Sequence, residues 1–142
     1  MLRYSNNFTA NQLLLTVGMQ RYGSPATLEK GTRALTEYLR KELAISAEQL
    51  VLVEGSGISR KNRLTPEAVW HLLRAFVPYQ NLLHGDNGIL FKTGTLSGVY
   101  SMAGYLPDRA PLYIVILLNQ PKNKRDKILK ILLATDFSSG EF

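Results

Sequence analysis

Apolar residues at Phe8, Leu13, Leu14 and Val17, and again at Leu28, Leu35, Leu39 and Leu43, recur every three to four positions, which predicts helix through most of residues 1–45. Gly23 interrupts that pattern. Ser24 and Pro25 then supply an N-cap and a first-turn proline, so two helices are expected, the second over 25–43. Residues 46–50 read as a connector, and Val51-Leu52-Val53 as a brief strand closed by the turn Glu54-Gly55-Ser56-Gly57. Thr65, Pro66 and Glu67 open a third helix carrying Val69, Leu72, Leu73 and Phe76, and Pro78 stops it. After a loop over 83–88, three strands are expected, over 89–95, 99–106 and 112–119. Their short connections make sequence neighbours pair antiparallel. The run 112–118 is apolar on both faces, as in a strand covered from both sides. A last helix over 122–134 and a fraying tail at 138–140 complete an α+β domain with a three-stranded antiparallel sheet flanked by helices.

The chain has 142 residues, enough for one domain with a sizeable core, and its 45% hydrophobic content excludes general disorder. Lys and Arg number 17 against 11 acidic residues, a net charge of +6. That balance favours anionic partners without choosing among them. Nucleic acid is not among those expected. The cluster Lys122, Lys124, Arg125, Lys127 and Lys130 has no interleaved aromatics to stack on bases and reads as a solvated helix face. There are no cysteines, which removes thiolate nucleophiles and Cys-based zinc sites. His84 and Asp86 lack further ligands at useful spacing, and His71 reads as a boundary residue, so neither metal nor cofactor is expected. The longest apolar run is too short to span a bilayer, and no basic-then-apolar export signal precedes Ser5.

The string that carries chemistry is Lys92-Thr93-Gly94-Thr95 on a strand. Thr93 and Thr95 share one face and Lys92 takes the other. Gly94 permits close approach by another backbone, so an extended peptide could add at this edge with two hydroxyls and an ammonium near its carboxylate. Upstream, Ser5-Asn6-Asn7 is a Ser-x-Asn pattern, although Ser5 also reads as a helix N-cap. A Ser-x-Asn followed by Lys-Thr-Gly on a strand is two-thirds of the signature of active-site serine penicillin-recognising enzymes, whose first element is Ser-x-x-Lys. None of the nine serines has lysine three residues later.

These motifs, with Val53-Glu54-Gly55-Ser56-Gly57-Ile58-Ser59-Arg60, Asn62-Arg63-Leu64-Thr65-Pro66, Gly98-Val99-Tyr100 and Ala103-Gly104-Tyr105, resemble the C-terminal part of the D-alanyl-D-alanine carboxypeptidase/endopeptidase family, the class C low-molecular-mass penicillin-binding proteins. The resemblance runs from about residue 5 to 119. It implies that residues 1–142 are part of a penicillin-binding transpeptidase-like domain of extracytoplasmic or periplasmic location, acting on peptidoglycan stem peptides by acyl-serine chemistry. By resemblance, Ser5 relays a proton to the leaving amine, Asn7 hydrogen-bonds the substrate peptide, and Lys92 tunes the Ser5 hydroxyl. Thr93 and Thr95 grip the terminal D-alanine carboxylate beside Gly94, and the Thr95 N–H forms half of an oxyanion hole. Asn6 stands where aspartate is frequent. Without the Ser-x-x-Lys nucleophile the isolated chain is expected to be inactive, and β-lactams to react only if the nucleophile half is supplied. A non-catalytic module binding D-Ala-terminated peptides or a protein partner is the alternative. In the resembled fold further strands complete the sheet, so an uncovered edge and self-association of the fragment are expected.

Overall fold

The computed structural model describes residues 2, 4–106 and 112–135. The expected connection over 107–111 and the tail at 138–140 lie outside the described residues. Helices α1 (Asn7–Tyr22) and α2 (Leu28–Leu43) are followed by a two-stranded ribbon of β1 (Leu50–Val51) and β2 (Arg63–Leu64), then by α3 (Pro66–Phe76) and a 3-10 turn at Val77–Leu82. Strands β3 (His84–Asp86), β4 (Ile89–Leu96), β5 (Val99–Leu106) and β6 (Leu112–Asn119) form one antiparallel sheet in that order, and α4 (Arg125–Ala134) closes the chain. The architecture is α+β.

Local chemistry accounts for most boundaries. The Thr65 hydroxyl accepts the Ala68 N–H at 3.1 Å, Pro66 fills the first turn where no amide partner is needed, and α3 ends two residues before Pro78. The second helix starts later than its proline suggests. Thr27, not Ser24, is the N-cap, accepting the Lys30 N–H at 3.2 Å, and the Lys30 ammonium ties the Gly23 and Pro25 carbonyls at 2.9 and 3.0 Å. Those bonds keep 23–26 as a connecting loop. Likewise α4 begins at Arg125 rather than 122, with Asn123 Oδ1 accepting the Arg125 N–H at 3.0 Å.

The sheet has four strands rather than three, because 84–86 pairs with 89–91 across an Asn87-Gly88 turn. Both turn residues have positive φ, 50° and 76°, the geometry that matches a two-residue hairpin to the twist of its strands. His84, Gly85 and Asp86 have little strand propensity of their own, which hides the strand in the sequence.

Two cores hold the layers. Ile89, Met102, Leu106, Ile114 and Ile116 pack with Phe91 against Ile128, Leu129, Leu132 and Leu133 of α4. Leu39, Ile45, Leu50 and Ala68 join α2, α3 and the ribbon, with Leu35, Leu43, Leu52 and Leu72 around them. Each Leu or Ile that is fully buried there contributes about 1.5–3 kcal/mol. On the sheet face away from α4, the Tyr113 ring meets Trp70 at 6.5 Å and Tyr105 at 5.7 Å, and the Tyr105 hydroxyl donates to the Leu73 carbonyl at 2.6 Å. Strand β6 is thus covered on both faces, yet it is an edge strand among the described residues. Helix α1 reaches α2 at Gly18, where an added Cβ would lie 2.4 Å from the Gly31 nitrogen, so only glycine permits this crossing.

Candidate functional site

The start of α1 is capped by Asn6, whose Oδ1 accepts the Thr9 N–H at 2.8 Å. This overturns the N-cap reading of Ser5 and leaves its hydroxyl available for another partner. Ser5 holds φ at 51°, in the left-handed region that costs a non-glycine residue about 1–2 kcal/mol. Its Oγ accepts a hydrogen bond from the Lys92 ammonium, which also donates to the Thr93 carbonyl at 2.7 Å. Residues 87 apart in sequence are thereby brought together. Lys92 is half-buried, and burial lowers its pKa below the ordinary lysine value. Among the described residues no carboxylate stands within ion-pair distance of it.

Lys92 projects on the sheet face shared with Ala103, its partner in the β4–β5 register, while Thr93 pairs with Met102 on the α4 face. Thr93 is half-buried; Asn7, Gly94 and Thr95 are exposed. A Cβ on Gly94 would meet the Ser101 hydroxyl at 2.5 Å, so the group that crowds this glycine is a side chain of β5. Strand β3 pairs with β4 only through Phe91. From Lys92 onward that edge of β4 has no strand partner among the described residues, and the Thr93 carbonyl there is engaged by the Lys92 ammonium.

The loop 54–62, whose opening residues read in the sequence as a turn and whose residues carry part of the family resemblance, links α1 to the β4–β5 turn. Gly55 donates its N–H to Asn11 Oδ1 on α1 at 2.7 Å, and Arg60 Nη2 donates to the Ser97 carbonyl in the β4–β5 turn at 2.5 Å.

The remaining candidates serve structure. The His84 ring stacks edge-on to Phe91 at 5.6 Å, and Asp86 faces Ile89 across the hairpin. No group of three or more His, Asp or Glu able to hold a metal occurs among the described residues. Arg125, expected on a solvated face, instead has a side chain only 13% exposed, with Nη1 donating to the Ser101 carbonyl at 3.2 Å. No helix among the described residues is long and apolar enough to cross a membrane.

With this geometry in view, the comparisons with known proteins agree on one class. The sequence profile of the D-Ala-D-Ala carboxypeptidase 3 (S13) family matches residues 1–86, and the chain belongs to that family. It is 28% identical over 130 residues to the D-alanyl-D-alanine carboxypeptidase DacB of Haemophilus influenzae, covering 75% of this chain and 27% of the relative. It is 29% identical over 133 residues to the D-alanyl-D-alanine carboxypeptidase of an Actinomadura species, covering 75% and 24%. The chain thus spans about a quarter of the length of the curated relatives it matches.

Among solved structures, penicillin binding protein 4 (dacB) from H. influenzae superposes with a TM-score of 0.70 at 26% identity, covering 87% of this chain and 33% of that one. The same protein complexed with a novel beta-lactam gives a TM-score of 0.72 at 23% identity, covering 92% and 37%. The fold is therefore that of part of penicillin binding protein 4.

Proposed function

We propose that Ser5, Asn7 and Lys92 to Thr95 form two walls of a cleft for D-alanyl-D-alanine peptides, and that residues 1–142 are part of a penicillin-binding carboxypeptidase domain acting on peptidoglycan by acyl-serine chemistry outside the cytoplasm. The observation that carries this reading is the Lys92 ammonium on the Ser5 hydroxyl, at the point where β3 leaves the β4 edge open. An extended peptide adds to that edge through backbone hydrogen bonds. The Thr93 and Thr95 hydroxyls and the field of Lys92 hold its terminal carboxylate, and Gly94 keeps the strand narrow there. Asn7 offers an amide to the peptide backbone.

In acyl transfer the leaving amine must gain a proton. Ser5 Oγ–H protonates that nitrogen while the Lys92 ammonium replaces the proton on Oγ, a transfer favoured by the lowered pKa of Lys92. The Thr95 N–H supplies one oxyanion-hole donor. These 142 residues contain no Ser-x-x-Lys, so the chain alone binds without turnover and a fluorescent penicillin leaves it unlabelled. The same absence favours a second reading, a binding module that retains the carboxylate grip without hydrolysis.

Calorimetry with a D-Ala-D-Ala peptide tests the cleft. Binding that is lost in Lys92→Ala supports it; no heat at millimolar peptide refutes it. We also propose that the chain alone self-associates, since β6 is an open edge among the described residues and Tyr4 and Phe8 are 83% and 73% exposed.

A further inference from the structure

Glu54 is the centre of a loop that contains no helix. Its carboxylate accepts the N–H groups of Ser56, Gly57 and Ser59 at 2.7, 2.9 and 3.2 Å, the Ser56 hydroxyl, and Asn62 Nδ2 at 2.5 Å. Asn62 turns its own Oδ1 to the Val53 N–H at 2.8 Å, closing the base of the loop. Residues 54–62 are thus wound around one side chain. Burial opposes ionisation of Glu54, but the hydrogen bonds from Ser56, Ser59 and Gly57 outweigh it and hold the carboxyl below its ordinary value.

A loop shaped this way is stiff, because moving any one strand of it breaks charge-assisted hydrogen bonds. Its two outward bonds leave toward different elements. Gly55 is pressed so closely on α1 that a Cβ would lie 2.9 Å from the Ala10 carbonyl oxygen and 3.2 Å from Leu14 Cβ, with Asn11 holding its N–H. Asn11 is about one helical turn beyond Asn7. At the other end Arg60 grips the Ser97 carbonyl, five residues past Lys92 in the β4–β5 turn. The two walls of the cleft are consequently joined twice, once through Ser5 and Lys92 and once through this loop.

We propose that Glu54 is a positioning residue: by winding 54–62 into a strut between Asn11 on α1 and Ser97 in the β4–β5 turn, it sets the separation of Ser5 from Lys92. This rests on the reading above only in taking those two residues as opposite walls of one cleft. Neither the family match nor the motif residues Ser5, Asn7 and Lys92 to Thr95 assign a role to this carboxylate. A strut in series has a distinctive consequence. Cutting either end releases the same constraint, and cutting both releases nothing more.

The test is a double-mutant cycle on the full 142-residue chain, Asn11→Ala, Arg60→Ala and the pair, with Glu54→Gln beside them. The readout is the titration of the Lys92 side chain by carbon and nitrogen NMR, and thermal melts establish that each variant is folded. A wider cleft admits water to Lys92, so each single change moves its titration upward toward the ordinary lysine value of 10.5. The pair moves it no further than the larger single change, and Glu54→Gln moves it in the same direction. An unchanged Lys92 titration in folded Asn11→Ala and Arg60→Ala overturns the proposal, and so do additive shifts in the pair. If Glu54→Gln does not fold, the two surface variants decide alone. Wild-type peptide binding is measured separately: a coupled Lys92 response without binding keeps the strut and sinks the cleft reading, and binding without the response does the reverse.

Discussion

Replacing Lys92 by methionine moves binding and stability in opposite directions. The ammonium donates to Ser5 and to the Thr93 carbonyl, is half-buried, and has no carboxylate at ion-pair distance among the described residues. Among the described residues its charge is therefore uncompensated and available to an anionic ligand. Two unit charges 4 Å apart interact by about 4 kcal/mol at an effective dielectric of 20. Solvent access reduces that toward the roughly 1.5–3 kcal/mol of a hydrogen bond to a charged group, which is a loss of about 10- to 150-fold in affinity. Titration calorimetry of Lys92→Met with a D-Ala-D-Ala peptide at pH 7 reads this directly.

Stability changes the other way. Burial holds the folded pKa of Lys92 below the unfolded value of 10.5, so between the two the unfolded chain binds more protons. Wild-type stability accordingly rises with pH through that interval, and at pH 7 the folded state still bears the cost of a poorly solvated ammonium. Lys92→Met melts higher than wild type at pH 7, and the gap closes as pH passes 10.5. Unchanged affinity, or a variant that melts lower at pH 7 with a gap that does not change with pH, would refute the reasoning.

Tyr105→Phe leaves the Leu73 carbonyl without its buried donor, a loss of about 1–2 kcal/mol that lowers the melting temperature by about 3–8 °C in calorimetry. Glu54, with a folded pKa below its ordinary 4.5, contributes stability that is present above that value and lost as pH falls through the folded pKa. Urea melts toward pH 3 should therefore show a flatter acid limb for Glu54→Gln than for wild type. Sedimentation velocity should detect concentration-dependent association of the chain, and a clean monomer at every concentration counts against edge pairing through β6.

Where the information was local, the fold was legible. Thr65, Pro66 and Glu67 announce α3 within three residues, and the long strands declare themselves by apolar runs between short turns. The start of α2 was misplaced because Pro25 and Thr27 both offer start signals, and the bonds that decide come from Lys30, a residue further in. Strand β3 was hidden by its composition, although Asn87-Gly88 is the dipeptide a two-residue hairpin demands. The pairing of Ser5 with Lys92 was legible only through motif order, since nothing periodic links positions 87 apart. The Glu54 loop was legible only as a turn at 54–57 and as part of the family resemblance, not in its internal bonds. Its bonds run mostly to backbone N–H groups, which every residue type carries, and its struts reach Asn11 and Ser97 through tertiary packing.

The brevity of β3 has a consequence for ligand length. It stops opposite Phe91, so the vacant margin of β4 runs from Lys92 to Leu96, about 16 Å at the rise of an extended chain. The hairpin arm behaves as a doorstop: two more residues of pairing would occupy the Lys92 and Thr93 positions from within. A variant with that arm lengthened would carry its own plug over the first two of those positions, shortening the free margin of the sheet.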